Sequence, residues 1–133
     1  MKSRKANTIT PLADGIPWTS RTHAHANEDL PEYALVVPTG TRGATFSVSK
    51  FRGEPHLPIF VTRYTVPEGR KGDVMPWVFI KNVDTGDALK GDPVYASLEE
   101  PGTWTTSEGG PRIGVVVEPG AVILCPNPNP AGK

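Results

Sequence analysis

The residues best equipped for chemistry are a histidine pair, a single cysteine and scattered carboxylates. His23-Ala24-His25 sets two imidazoles at i and i+2. On an extended chain that spacing turns both rings to one side, where they could share a metal ion. Glu28 or Asp29 could add an oxygen. A metal site needs three or four ligands held by a fold. This pair falls on a stretch read below as an arm, so no metal is assigned. His56 follows Pro55 in a loop and has no partner legible in the sequence. Cys125 ends the apolar run Ala121-Val122-Ile123-Leu124-Cys125, the setting of a small buried hydrophobe rather than an exposed thiolate. As the only cysteine it excludes an intrachain disulfide.

The motifs of common chemistries do not occur. No serine sits in a Gly-x-Ser-x-Gly elbow, and no glycine-rich phosphate loop opens a helix. Glu99-Glu100 precedes Pro101-Gly102 and reads as a solvated turn rather than a catalytic carboxylate pair. No catalytic residue and no cofactor is assigned, and the expectation is a binding protein rather than an enzyme. Trp77, Phe79, Tyr95 and Trp104 fall in apolar runs, and are read as core or subunit-interface side chains.

Charge narrows the partner. The 133 residues carry 14 basic and 14 acidic side chains, so the net charge is zero. A general nucleic-acid binder needs a basic surface, so nucleic acid is excluded as partner. No apolar run approaches the ~20 residues of a membrane-spanning helix, and no membrane partner is assigned. Met1-Lys2-Ser3-Arg4-Lys5 is basic, but no apolar segment of a signal peptide follows it. The charges are unevenly placed. Basic residues dominate between Arg42 and Lys71, acidic ones between Asp84 and Glu108. Two readings stay open: ordinary solvated loops, or a two-faced surface on which one subunit meets the next. On the second reading Arg63, Arg70, Asp87, Asp92 and Glu108 are the subunit-interface candidates.

The elements that would carry these residues are short strands. Gly 14 and Pro 15 sit between apolar runs, as turns punctuate a β protein. Strands are expected at Tyr33 to Val37, Ala44 to Phe51, Leu57 to Val66, Asp73 to Lys81 (broken or bulged at Pro76), Pro93 to Ala96, Thr103 to Thr106, Arg112 to Val117 and Ala121 to Cys125. The best helical candidate is one short turn at Thr85 to Lys90. The fold class is all-β, a small barrel or sandwich of about eight strands over residues 33–126. Residues 1–32, with Pro11, Pro17 and Pro31, read as an extended N-terminal arm. Its anchors for a partner would be Ile9, Leu12, Ile16 and Trp18. Residues 127–133 read as a Pro/Asn-rich tail that ends the fold.

From Val66 to Cys125 the order of motifs resembles a known family. Val66-Pro67-Glu68-Gly69 precedes a strand with Trp77-Val78-Phe79-Ile80. Gly91-Asp92-Pro93-Val94-Tyr95, Thr103 to Thr106 and Arg112-Ile113-Gly114-Val115 follow in sequence. Gly91-Asp92 would launch a strand, and Gly114 would leave room for a close crossing. This set is similar to the small capsid cement, or decoration, proteins of tailed phages. The resemblance implies a structural virion protein, made in the host cytoplasm and placed on the outer capsid surface. Its partner would be the major capsid protein, whose capsomers it bridges, and it would form a homo-oligomer, a trimer being favoured. The N-terminal arm and an expanded middle around Phe51 to Pro58 depart from the family pattern. The alternative is a non-catalytic carbohydrate- or receptor-binding β module of a virion or cell surface, which requires an exposed tryptophan among Trp18, Trp77 and Trp104.

Overall fold

The computed structural model describes residues 22–126, and those residues contain strands and turns but no helix. The strands are β1 (Thr22–Ala26), β2 (Leu35–Arg42), β3 (Thr45–Lys50), β4 (Phe60–Thr62), β5 (Lys71–Met75), β6 (Val78–Lys81), β7 (Pro93–Ala96), β8 (Trp104–Thr105), β9 (Arg112–Glu118) and β10 (Ala121–Leu124). The first five close a barrel in the order β1-β3-β2-β4-β5, and the last five form a sheet in the order β6-β10-β9-β7-β8. The protein is all-β, as its sequence indicates.

Two apolar clusters hold it together. The barrel is lined by Ala24, Ala26, Leu30, Ala34, Val36, Val48, Val66 and Val74, with Phe46 and Phe60 packed against them. The two rings lie 5.7 Å apart in a tilted arrangement, a favourable aromatic geometry. The larger cluster lies between barrel and sheet. It joins Leu35, Val37, Phe51, Ile59 and Val61 to Val78, Ile80, Val94, Ala96, Ile113, Val116, Val122 and Leu124. Strand β2 therefore has no wet face over its first half. Val36 points into the barrel, while Leu35 and Val37 point toward the sheet. This is why Leu35-Val36-Val37 is a continuous apolar run instead of an alternating one. Past Pro38 the burial ends, and β2 runs on to Arg42 through a register shift between Pro38 and Gly40. The sequence reading stops this strand at Pro38.

Pro76 breaks the apolar stretch from Asp73 to Lys81, as expected, and the break has a topological meaning. It separates β5 of the barrel from β6 of the sheet. Thr85 to Lys90, expected as a helical turn, forms turns only, with Ala88 N–H donating to the Thr85 carbonyl at 3.0 Å. The buried Thr85 hydroxyl accepts from Gly120 N–H at 2.9 Å and ties this loop to the β9–β10 turn.

The boundary of the expected arm is corrected. Residues 22–32 belong to the barrel. β1 pairs with β3 in parallel and with β5 antiparallel, so it closes the cylinder. Leu30 is buried and bridges Val66. The fully buried Thr62 hydroxyl accepts from Ala34 N–H at 2.8 Å and donates to the Pro31 carbonyl at 2.7 Å. Those bonds hold the entry to β2, where Tyr33 takes a left-handed φ of 59°. Among the described residues ten strands stand where eight were expected, because β1 is added and the stretch from Asp73 to Lys81 divides in two.

Candidate functional site: the outer face of the second sheet

In β6, Val78 and Ile80 point into the core, so Phe79 and Lys81 point away from it. The register then builds an apolar row across the sheet. Phe79 lies opposite Ile123, Ile123 opposite Val115, and Val115 opposite Pro93. Residues directly opposite share a face, so these four side chains cross four neighbouring strands on the outside. Phe79 is 48% exposed, and Trp77, just before β6, is 43% exposed. Sequence reasoning placed both aromatics in a core or interface. The structure excludes the core, because the inward positions of this strand are taken by Val78 and Ile80. Trp104 is half-buried against the inter-sheet core, and Tyr95 is half-buried opposite Arg112 and Thr105.

Beside the row lies an open depression of about 390 Å³ lined by Arg112, Ile113, Gly114, Val115 and Cys125. Cys125 lies just beyond β10 and is half-buried rather than buried as expected. Partial burial raises its thiol pKa, which leaves the thiol protonated and a poor nucleophile near neutral pH.

The histidine pair is on β1, and its rings do share the outward side, since Ala24 and Ala26 point inward. His23 Nε2 lies 2.8 Å from Asp73 Oδ1 across the strand pair. His25 Nδ1 is buried without a hydrogen-bond partner among the described residues, and burial with Arg42 and Lys71 nearby lowers its pKa. The oxygens considered for a third ligand are engaged elsewhere. Glu28 makes a two-pronged pair with Arg52 at 2.8 and 2.9 Å and accepts from Lys50 N–H at 3.0 Å. That guanidinium is the main cause of a lowered Glu28 pKa. Asp29 accepts from Glu68 N–H at 2.8 Å. Among the described residues no group of three or more His, Cys, Asp or Glu could hold a metal ion.

The interface candidates divide between the two halves. Arg63 follows β4, is exposed, and lies 5.4 Å from the centroid of the Tyr64 ring. Arg70 is exposed in the turn before β5, where its N–H donates to the Pro67 carbonyl. Asp87 and Glu108 are exposed on loops of the sheet half. Asp92 shapes its own loop, its carboxylate accepting from Leu89 N–H at 2.8 Å. Ile9, Leu12, Ile16 and Trp18 lie outside the described residues.

Placing residues 22–32 in the barrel also changes the charge map. Residues 22–75 hold six basic side chains and six acidic ones, because Glu28, Asp29 and Glu32 now count there. Residues 76–126 hold three basic and seven acidic ones, a net charge of −4. The asymmetry is thus a neutral barrel beside an acidic sheet half. No family model, curated protein or solved structure matches this chain.

Proposed function

We propose that this protein is a non-catalytic structural subunit that docks on a protein lattice through the outer face of its second sheet. The observation that carries the reading is the Phe79–Ile123–Val115–Pro93 row with exposed Trp77 beside it. Contiguous apolar groups rimmed by charge favour contact with another protein. Here Lys81, Arg112 and Glu118 provide polar flanks. The sequence resemblance to tailed-phage decoration proteins supplies the lattice: a capsid whose major protein would be the partner, with the subunit acting as a homo-oligomer, a trimer, on the outer surface. Many copies each adding modest binding free energy would stabilise the expanded shell by mass action.

The test is co-sedimentation with purified shells of a phage whose genome encodes this chain. Phe79→Asp should reduce the bound fraction at least ten-fold while leaving the thermal transition within a few degrees of the parent. Undiminished decoration by that variant refutes this docking face, and failure of the parent chain to bind shells refutes the lattice. The exposed Trp77 also favours the alternative, a glycan-binding β module. In that case added oligosaccharide, not capsid, quenches tryptophan fluorescence, and Trp77→Ala abolishes the change.

A further inference from the structure

The depression beside the apolar row is lined by one charged side chain, Arg112. Its other lining residues, Ile113, Gly114, Val115 and Cys125, carry no charge, and Val115 belongs to the row as well. The register fixes what stands on either side. Arg112 lies opposite Tyr95, which points outward because Val94 and Ala96 face the core. A register shift between Val94 and Tyr95 falls at this point, and such irregularities re-aim a side chain. Toward the other edge, Cys125 and Trp77 each stand one residue beyond the Leu124–Val78 pair. Across the strand order β6-β10-β9-β7 the sequence of groups is therefore Trp77, Cys125, Arg112 and Tyr95, a guanidinium between two aromatic residues.

Charge singles out the same residue. The ion pairs among the described residues are His23–Asp73 and Glu28–Arg52. Arg112 is in neither, although residues 76–126 hold seven carboxylates. Six of the seven lie on loops, and the seventh, Glu118, ends β9. Strands β6 to β10 themselves carry only Lys81, Arg112 and Glu118. The acid of this half is thus at its rim, and the apolar face is met by a guanidinium.

We propose that Arg112 is the anchor of the docking face. It receives an Asp or Glu side chain of the protein partner, while an apolar neighbour of that carboxylate fills the depression against Val115 and Ile123. The inference rests on the reading that this face docks on another protein, and it adds the chemistry of what the face grips. A guanidinium holds a carboxylate through two parallel N–H···O bonds, a geometry that lysine lacks. Apolar walls that exclude water strengthen such a pair. The depression is open, whereas small-molecule sites enclose most of their ligand. A side chain standing on a partner's surface therefore fits it better than a free acid does. The acidic loops around the face add selectivity, since they repel a uniformly acidic surface and leave the single carboxylate at Arg112 as the favoured contact.

Co-sedimentation of the full chain with purified shells tests it, using Arg112→Met, Arg112→Lys and Lys71→Met. Lys71 is exposed on β5 of the barrel, so its replacement removes the same charge from the other half. Arg112→Met should weaken shell binding by about ten-fold or more, Lys71→Met by less than about two-fold. Both should keep the parent's thermal transition, because Arg112 is exposed. Arg112→Lys keeps the charge and supplies an amine. Carbodiimide treatment of its shell complex should join that amine to an Asp or Glu of the shell protein, identified by peptide mass spectrometry. Equal binding by Arg112→Met and the parent overturns the inference and leaves the docking face to the Phe79→Asp test. Equal losses in Arg112→Met and Lys71→Met also overturn it, because the effect is then long-range charge. So does a shell-bound Arg112→Lys chain whose new amine reaches no carboxylate. Failure of the parent to bind shells is a different result: it removes the proposed function, and this inference falls with it.

Discussion

Replacing Gly114 with alanine should break the second sheet. Gly114 sits in β9 opposite Leu124 of β10 and Val94 of β7. A Cβ at this position would fall inside the van der Waals surface of the Ile123 carbonyl oxygen, and 3.1 Å from both the Ile123 carbonyl carbon and Leu124 Cα. All three atoms are backbone, so no rotamer change relieves the overlap. A carbon normally stands ~3.3 Å or more from a carbonyl oxygen. Strand β10 must therefore retreat by roughly 1 Å if it is to restore that separation. It carries Val122 and Leu124, which are fully buried in the inter-sheet core. Overpacking of this kind costs about 1–3 kcal/mol, occasionally more, and a backbone clash belongs at the upper end. At about 4–8 °C per kcal/mol, a loss of ~3 kcal/mol lowers the melting temperature by roughly 12–24 °C. Thermal and urea denaturation followed by circular dichroism measure it. Gly109→Ala is the control, since a Cβ there would meet only the Ala96 carbonyl at an ordinary 3.5 Å and Ser107 O at 3.9 Å. If Gly114→Ala melts within 4 °C of Gly109→Ala, the close crossing of β9 and β10 is wrong.

Two further outcomes concern titratable groups. Glu28→Gln should cost ~1 kcal/mol at pH 7, a charge-assisted pair discounted for its partial exposure. Because the Glu28 pKa is lowered in the fold from an ordinary 4.5, its contribution is complete above that value and lost as pH falls through the folded pKa. The parent and variant stability curves should therefore converge in acid, and a constant gap down to pH 2 would contradict the pairing. His25 is also lowered, from 6.5. Below that pH the unfolded chain binds a proton that the folded chain refuses, so stability falls until the folded pKa is passed. His25→Phe should flatten the chemical-denaturation midpoint between pH 7 and 5, and an unchanged slope there would count against it.

Much of the sheet half is legible in the sequence, for a local reason. β7 alternates buried Val94 and Ala96 with half-buried Pro93 and Tyr95, and β10 is a compact β-branched and aliphatic run, Ala121-Val122-Ile123-Leu124, bounded by Pro119-Gly120 and Pro126. β1 was not legible. Its inward residues are Ala24 and Ala26, which carry little strand signal, yet small side chains suit a barrel already filled by Val36, Val48, Val66 and Val74. Its pairing to β3 is parallel and distant in sequence, and nothing in Thr22-His23-Ala24-His25-Ala26 announces it. The exposed row is a different kind of omission. In Trp77-Val78-Phe79-Ile80 both alternating faces are apolar, so the pattern predicts a strand without saying which face the core takes. Only the register with β10 decides that. The charge asymmetry was visible along the chain, but its true partition depended on which fold element owns Glu28, Asp29 and Glu32.

Because β2 has one face in each cluster, the barrel and the sheet are not exchangeable modules. A chain cut at Pro76 would give a barrel with Leu35, Val37 and Val61 bared to water, and a sheet with Val78, Ile80, Val94, Val122 and Leu124 likewise. At about 1.5–3 kcal/mol per large apolar side chain, each fragment forfeits an amount comparable to the whole ~5–15 kcal/mol that a domain of this size has to spare. The two halves must therefore melt together in a single cooperative transition. A ligand gripping only the sheet protects β1, at the far side of the barrel, from global unfolding as fully as it protects the strands it touches.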